Sequence, residues 1–112
     1  MSASLVYMTA GSAAEAREIG RTLVGERLAA CVNVIEPMTS FYWWNGKIEE
    51  GHEAVLIAKT RTALVAALTE RVKALHSYDC PCVVRIGIEA GNPDFLAWID
   101  SETEMRAKEI GN

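Results

Sequence analysis

Thr39-Ser40-Phe41-Tyr42-Trp43-Trp44-Asn45-Gly46-Lys47-Ile48 decides the fold of this chain. Asn-Gly tolerates the positive φ angles that a two-residue type I′ turn demands, so the chain reverses between Trp44 and Lys47. Working outward, Cys31-Val32-Asn33-Val34-Ile35 precedes the turn and Ala54-Val55-Leu56-Ile57-Ala58 follows it, both with strand composition. Pro37 cannot donate to a sheet ladder, so Glu36-Pro37-Met38 marks a bulge or an edge. The segment 30–60 reads as one long β-hairpin, and the apolar run at 54–58 puts its return strand at the centre of a sheet.

The flanking sequence supplies the remaining layers. Leu5-Val6-Tyr7-Met8-Thr9 is a short apolar run that suits a buried strand. Ser12-Ala13-Ala14-Glu15 has the form of a capping box, and Ala16, Ile19, Leu23 and Val24 make the stripe of a helix ending near Arg27. After the hairpin, Leu64, Leu68, Val72 and Leu75 define a second helix, capped by Thr60 or Thr62 and stopping before Pro81. Cys82 to Ile88 reads as a fourth strand. Asn92-Pro93 then starts a helix that runs to about Ser101 and buries Phe95, Leu96, Trp98 and Ile99 in part. The order β-α-β-β-α-β plus a C-terminal helix predicts an α+β, ferredoxin-like sandwich with both crossover helices on one sheet face. One domain is expected over residues 1–112, with a core at about 4–101 and a polar tail at 102–112.

Of the 112 residues, 50% are hydrophobic and 23% charged, which is globular composition. The net charge of −4 and the scattered Lys and Arg argue against nucleic acid as a partner, because phosphate neutralisation needs clustered basic residues. No apolar run approaches the roughly 20 residues that span a bilayer, so no membrane partner is expected either. Met1-Ser2-Ala3-Ser4 lacks the features of a signal peptide, and three cysteines cannot all pair within one chain. Together these place the protein in the reducing cytoplasm.

Each arm of the hairpin has about 13 residues and reaches on the order of 40 Å, whereas a helix of about 15 residues covers only about 22 Å. Much of the hairpin must overhang its own helices. Phe41, Tyr42, Trp43 and Trp44 are consecutive, so they point alternately to both faces, and one domain cannot cover both sets. Exposed aromatic surface of this kind marks association, and a closed homo-oligomer with these four residues at its interface is expected.

Glu26-Arg27-Leu28-Ala29-Ala30-Cys31-Val32-Asn33, followed by the 39–48 stretch, strongly resembles the CutA family, which is linked by name to divalent-cation tolerance. Similar patterns occur at Thr9-Ala10, Lys59-Thr60-Arg61, His76-Ser77-Tyr78-Asp79-Cys80-Pro81 and from Glu89 to Ile99. The resemblance implies a ferredoxin-like subunit in a tight homotrimer whose hairpins pair between subunits, a role in metal-ion response, and copper binding. Metal binding attributed to some members uses a Cys before the Thr-Ala pair and adjacent histidines before Pro-Tyr. Here Met8 stands in the Cys position, Leu75-His76 replaces His-His, and Ser77 replaces Pro.

This sequence also carries its own candidate site. His76, Cys80 and Cys82 form H-x₃-C-x-C, and in extended backbone the two thiols would share one side. Imidazole and thiolate suit Zn or Cu(I), with Met8 as a thioether for the softer ion. The competing reading makes the cysteines small buried hydrophobes and His76 a residue that closes a helix. Glu49, Glu50, His52 and Glu53 read either as a hard-ion or general-base cluster or as a solvated, edge-protecting strand. Thr9-Ala10-Gly11-Ser12 leads into a helix N-terminus but lacks the Walker Lys. Without a G-x-S-x-G or H-E-x-x-H motif the chain reads as a binding or signalling protein rather than an enzyme. The alternative is a small-molecule sensor or enzyme with sites in clefts between subunits.

Overall fold

In the computed structural model, which describes residues 2–110, the elements follow the expected order: β1 (Ala3–Ala10), α1 (Ala13–Gly25), β2 (Cys31–Trp44), β3 (Lys47–Arg61), α2 (Val65–Leu75), β4 (Val83–Ile88) and α3 (Pro93–Glu109). The strands form one antiparallel sheet in the order β2-β3-β1-β4, so β3 is central as its apolar run demands. This is the α+β, ferredoxin-like arrangement. The hairpin stretches the molecule to 43 Å, against 27 and 23 Å in the other two directions.

Strand alternation divides the sheet into two unlike faces. Val6, Met8, Leu56 and Ala58 point to the helices and form the core with Ala16, Ile19 and Leu23 of α1 and Leu68 and Val72 of α2. Gly20 lets α1 settle onto β2, since a Cβ there would lie 3.2 Å from Val32 Cγ1. Gly20→Leu should therefore overpack this seam and lower stability by about 1–3 kcal/mol, read from urea unfolding.

The other face carries Leu5, Tyr7, Ile57, Val84 and Ile86, matched across β3-β1-β4 by the pairs Tyr7–Ile57, Tyr7–Val84 and Leu5–Ile86. No crossover helix covers it, and Ile35, Val84 and Ile86 are each about half exposed. Helix α3 reaches only one end. There the buried Arg61 donates from Nε and Nη2 to the Asp100 carbonyl at 3.2 and 2.6 Å, and from Nε to Thr103 Oγ1 at 3.0 Å.

The break at Pro37 is a bulge. Ile35 pairs with Val55 but Met38 pairs with Glu53, so β2 spends three residues where β3 spends two. A one-residue slip flips every later side chain to the opposite face. Beyond it, Ser40, Tyr42 and Trp44 lie on the helix-free side with Glu53, while Phe41 and Trp43 lie on the other. Asn45 and Gly46 take φ of 51° and 76°, as a type I′ turn requires.

Several boundaries differ from expectation. Helix α1 stops at Gly25 because Arg27 adopts φ 59°, the left-handed position of a Schellman motif: the Leu28 N–H donates to Leu23 O at 2.9 Å and the Arg27 N–H to Val24 O at 3.0 Å. Leu23 and Leu28, both fully buried, supply the hydrophobic contact that accompanies it. Neither Thr60 nor Thr62 caps α2, which begins after a 3₁₀ turn at Thr62–Leu64 without a side-chain cap. Thr60 Oγ1 donates to Leu28 O instead, and Thr62 Oγ1 shares hydrogen bonds with Ser2 and Ser4. Helix α3 runs past Ser101 to Glu109 because Thr103 and Ala107 are buried; of the expected tail, residues 111–112 lie outside the described residues. Ile99 is fully buried, whereas Phe95 and Trp98 stay exposed and stack with ring centroids 5.6 Å apart.

Candidate functional site

Met8 points to the helices from the middle of β1 and is fully buried, so its thioether fills the core. His76 closes α2, where the chain turns extended. Its ring is buried, with Nε2 2.7 Å from the Thr9 carbonyl and Nδ1 3.0 Å from the Tyr78 N–H. These partners assign the tautomer: Nε2–H donates and Nδ1 accepts. Nδ1 also lies 3.8 Å from Glu15 Oε2, but a nitrogen that accepts a hydrogen bond is not the cation of an ion pair.

The segment 77–80 is bent rather than extended, and β4 begins only at Val83, so strand alternation does not align the two thiols. Cys80 is exposed, Cys82 half-buried, and Cys31 half-buried opposite Lys59 in the β2–β3 ladder. Burial, aided by the Glu53 carboxylate, pushes the Cys82 thiol up. The structure thus leaves His76, Cys80, Cys82 and Met8 apart. Among the described residues no three His, Cys, Asp or Glu side chains converge as a metal centre. Both ring nitrogens of His76 serve the backbone, which is why its spacing from the cysteines misleads.

What the structure does assemble is a polar cluster where the hairpin leaves the sheet. Glu53 Oε1 accepts from Ser40 Oγ at 2.6 Å and Oε2 from the Tyr78 hydroxyl at 3.0 Å. Glu15 accepts from the Ser77 N–H at 2.7 Å, the Ser77 hydroxyl at 3.0 Å and the Gly11 N–H at 3.2 Å. Burial pushes the Glu15 carboxyl up, but these donors together hold it below the usual carboxylate range. Sequence reading placed Glu15 as a cap and Glu53 in a charged strand, and missed their joint grip on the α2–β4 loop. Gly11 and Gly51 were the available signals, because their missing side chains make room for the rings of Tyr78 and Tyr42.

Burial and the neighbouring Glu53 carboxylate push the Tyr78 hydroxyl up to about 12. With the folded value above the unfolded one of about 10, its contribution to stability is present below pH 10 and lost as pH rises through 12. In an ultraviolet alkaline titration, one of the three tyrosines should ionise near pH 12, and Tyr78→Phe should remove that step.

Beside this cluster a groove of about 260 Å³ is lined by Gly11, Ser12, Ala13, Glu36, Pro37, His52 and Glu53. At the tip, Phe41, Trp43, Trp44 and Ile48 are 63–72% exposed and Tyr42 is 45% exposed, so the aromatic stretch is left largely uncovered by the described residues.

Residues 4–102 match the model of the CutA1 divalent ion tolerance protein family. The chain belongs to this family. It is 46% identical to the divalent-cation tolerance protein CutA of Archaeoglobus fulgidus over 101 residues, covering 90% of this chain and 98% of that protein. The crystal structure of CutA1 from Oryza sativa superposes with a TM-score of 0.90 at 40% identity, covering 92% of this chain and 94% of that one. Against the Mus musculus protein CutA the identity is 45%, over 92% of this chain but only 58% of the longer mouse protein. Relatives in this family are named as tolerance proteins, not as enzymes.

The cytoplasmic assignment is overturned. The A. fulgidus structure, with a TM-score of 0.88 to this chain, is described as a periplasmic CutA, and a rice relative is named chloroplastic. An acidic chain with unpaired thiols suits several compartments, so composition carried no address.

Proposed function

We propose that this chain is the single-domain subunit of a homotrimer that serves divalent-ion tolerance by metal binding or signalling rather than by catalysis. One observation carries the assembly: an apolar sheet face that no crossover helix covers, continued by a hairpin whose aromatic tip is exposed. Soluble monomers rarely leave contiguous apolar surface of this kind uncovered. The edges of the sheet are unlike strands, β2 and β4. Joining one edge to the other edge of the next copy is a head-to-tail contact, which gives a ring rather than a two-fold dimer when its rotation closes. Three copies make the smallest such ring.

The metal is copper, taken by soft donors. The exposed Cys80 and half-buried Cys82 supply two thiols on the same loop, a preference for Cu(I). His76 and Met8 join them only if the loop moves, since one is held by the backbone and the other by the core. Native mass spectrometry of freshly purified, reduced protein tests both parts, with three subunits per assembly expected. A monomer mass at micromolar concentration refutes the assembly, and Cu(I) affinity unchanged in Cys80→Ser/Cys82→Ser refutes the metal site.

The groove beside His52 and Glu53 supports a second reading, in which a small molecule rather than a metal is the ligand. A melting-temperature shift with a metabolite pool but none with metals favours it.

A further inference from the structure

Besides the sheet ladder, Tyr7 and Arg17, which reach Met38 and Glu36, the base of the hairpin is tied to the body of the domain by a side chain from the α2–β4 loop. The Tyr78 hydroxyl donates to Glu53 Oε2 on β3, and Ser40 of β2 donates to Oε1 of the same carboxylate. One phenol thereby grips both arms. Its own footing is broad: a Cβ at Gly11 would come within 3.1 Å of the Tyr78 oxygen, the His76 ring lies 4.6 Å away centroid to centroid, and the Tyr78 N–H donates to His76 Nδ1. His76 is tied in turn to Thr9 at the end of β1, and Ser77 to Glu15 at the start of α1.

The position of the grip gives it leverage. Glu53 pairs with Met38, the first register pair beyond the bulge, and every residue from 41 to 50 is exposed. From this pair to the turn is about seven residues, or roughly 23 Å of strand. A tilt of about 10° at the base would carry the tip by about 4 Å, close to the spacing between neighbouring strands. An error of that size puts Trp43 and Trp44 out of register with any partner.

We propose that Tyr78 is a positioning residue for self-association: through Glu53 it fixes the direction in which the hairpin projects, and it makes the α2–β4 loop a control point for assembly. This rests on the homotrimer reading above. Hydrogen bonds to a carboxylate are stronger than those between neutral groups, so the link is stiff enough to matter at a partly exposed site. Whatever pulls Tyr78 off Glu53, a ligand on the exposed Cys80 included, would loosen the hairpin and weaken the assembly.

Tyr78→Phe and Ser40→Ala cut the link from its two sides, and Ser40→Ala removes only a hydroxyl from a strand that is otherwise kept. Hydrogen exchange at the amides of 39–41 and 51–53, with native mass spectrometry on dilution, reads the outcome. Each single variant should speed exchange about tenfold and weaken association by a similar factor. The double variant should be no worse than either single, because both remove one connection. Additive effects, or exchange unchanged in both single variants, overturn the proposal. A monomeric wild type refutes the trimer reading alone, since the exchange rates still report whether Tyr78 holds the hairpin.

Discussion

Replacing Ile86 with lysine should convert the proposed trimer to 12.2 kDa monomers without unfolding the subunit. Ile86 lies on the edge strand β4 opposite Leu5, two positions from Val84 on the helix-free face, and half of it is exposed in the single chain. A lysine there is solvated in the monomer and costs that state little. In the assembly each copy would bury an unpaired ammonium, for several kcal/mol per site. Association should weaken by more than about a hundredfold, on the scale of an interface hot spot. Native mass spectrometry measures the subunit number, and far-ultraviolet circular dichroism checks that the sheet survives. An intact trimer in Ile86→Lys would show that the apolar face is not where the copies meet.

Arg61→Ala should have the largest effect on the stability of the subunit itself. Arg61 is only 4% exposed, and its guanidinium is the polar anchor between the end of β3 and α3. Truncation strands the Asp100 carbonyl and leaves the Asp100 carboxylate, 3.3 Å from Nε, without its counter-charge. That carboxylate is partly solvated, so a loss at the low end for breaking a buried pair is expected, about 3 kcal/mol. Urea unfolding measures it. A red shift in Trp98 emission before the main transition would show α3 detaching first; if the unfolding midpoint does not move, α3 is held by Ile99, Thr103 and Ala107 alone.

The fold was legible because its strongest signals are local. Asn45-Gly46 specifies the turn by backbone sterics, Ser12 and Glu15 specify a helix start by hydrogen bonding, and the periods of two and 3.6 assign the faces. What stayed hidden depends on burial and on contacts that no local pattern states. Arg27 ends α1 in a conformation that glycine usually takes, and only the meeting of Leu23 with Leu28 supports it. The engagement of His76 was hidden in the same way. H-x₃-C-x-C is a spacing, and spacing is silent about Thr9 O and the Tyr78 N–H, which take both nitrogens of His76. Glu53 and Tyr78 are 25 positions apart and share no motif, so their contact was not readable before the fold brought them together.

The extra residue at the hairpin's bulge bears on how such a surface can change over time. Side chains alternate along a strand, so which aromatics meet a partner is set by the register in which the two arms pair. A position lost at 36–37 only removes the bulge, because the turn still pairs Trp44 with Lys47 and Met38 with Glu53, whereas a position lost from β3 at 49–51 would exchange Tyr42 and Trp44 for Phe41 and Trp43 on the helix-free side without altering a single aromatic residue. A deletion there acts on the surface as a shift of reading frame acts on a message. Substitutions along the arm can be tolerated one at a time, whereas a change in its length rewrites the whole contact at once.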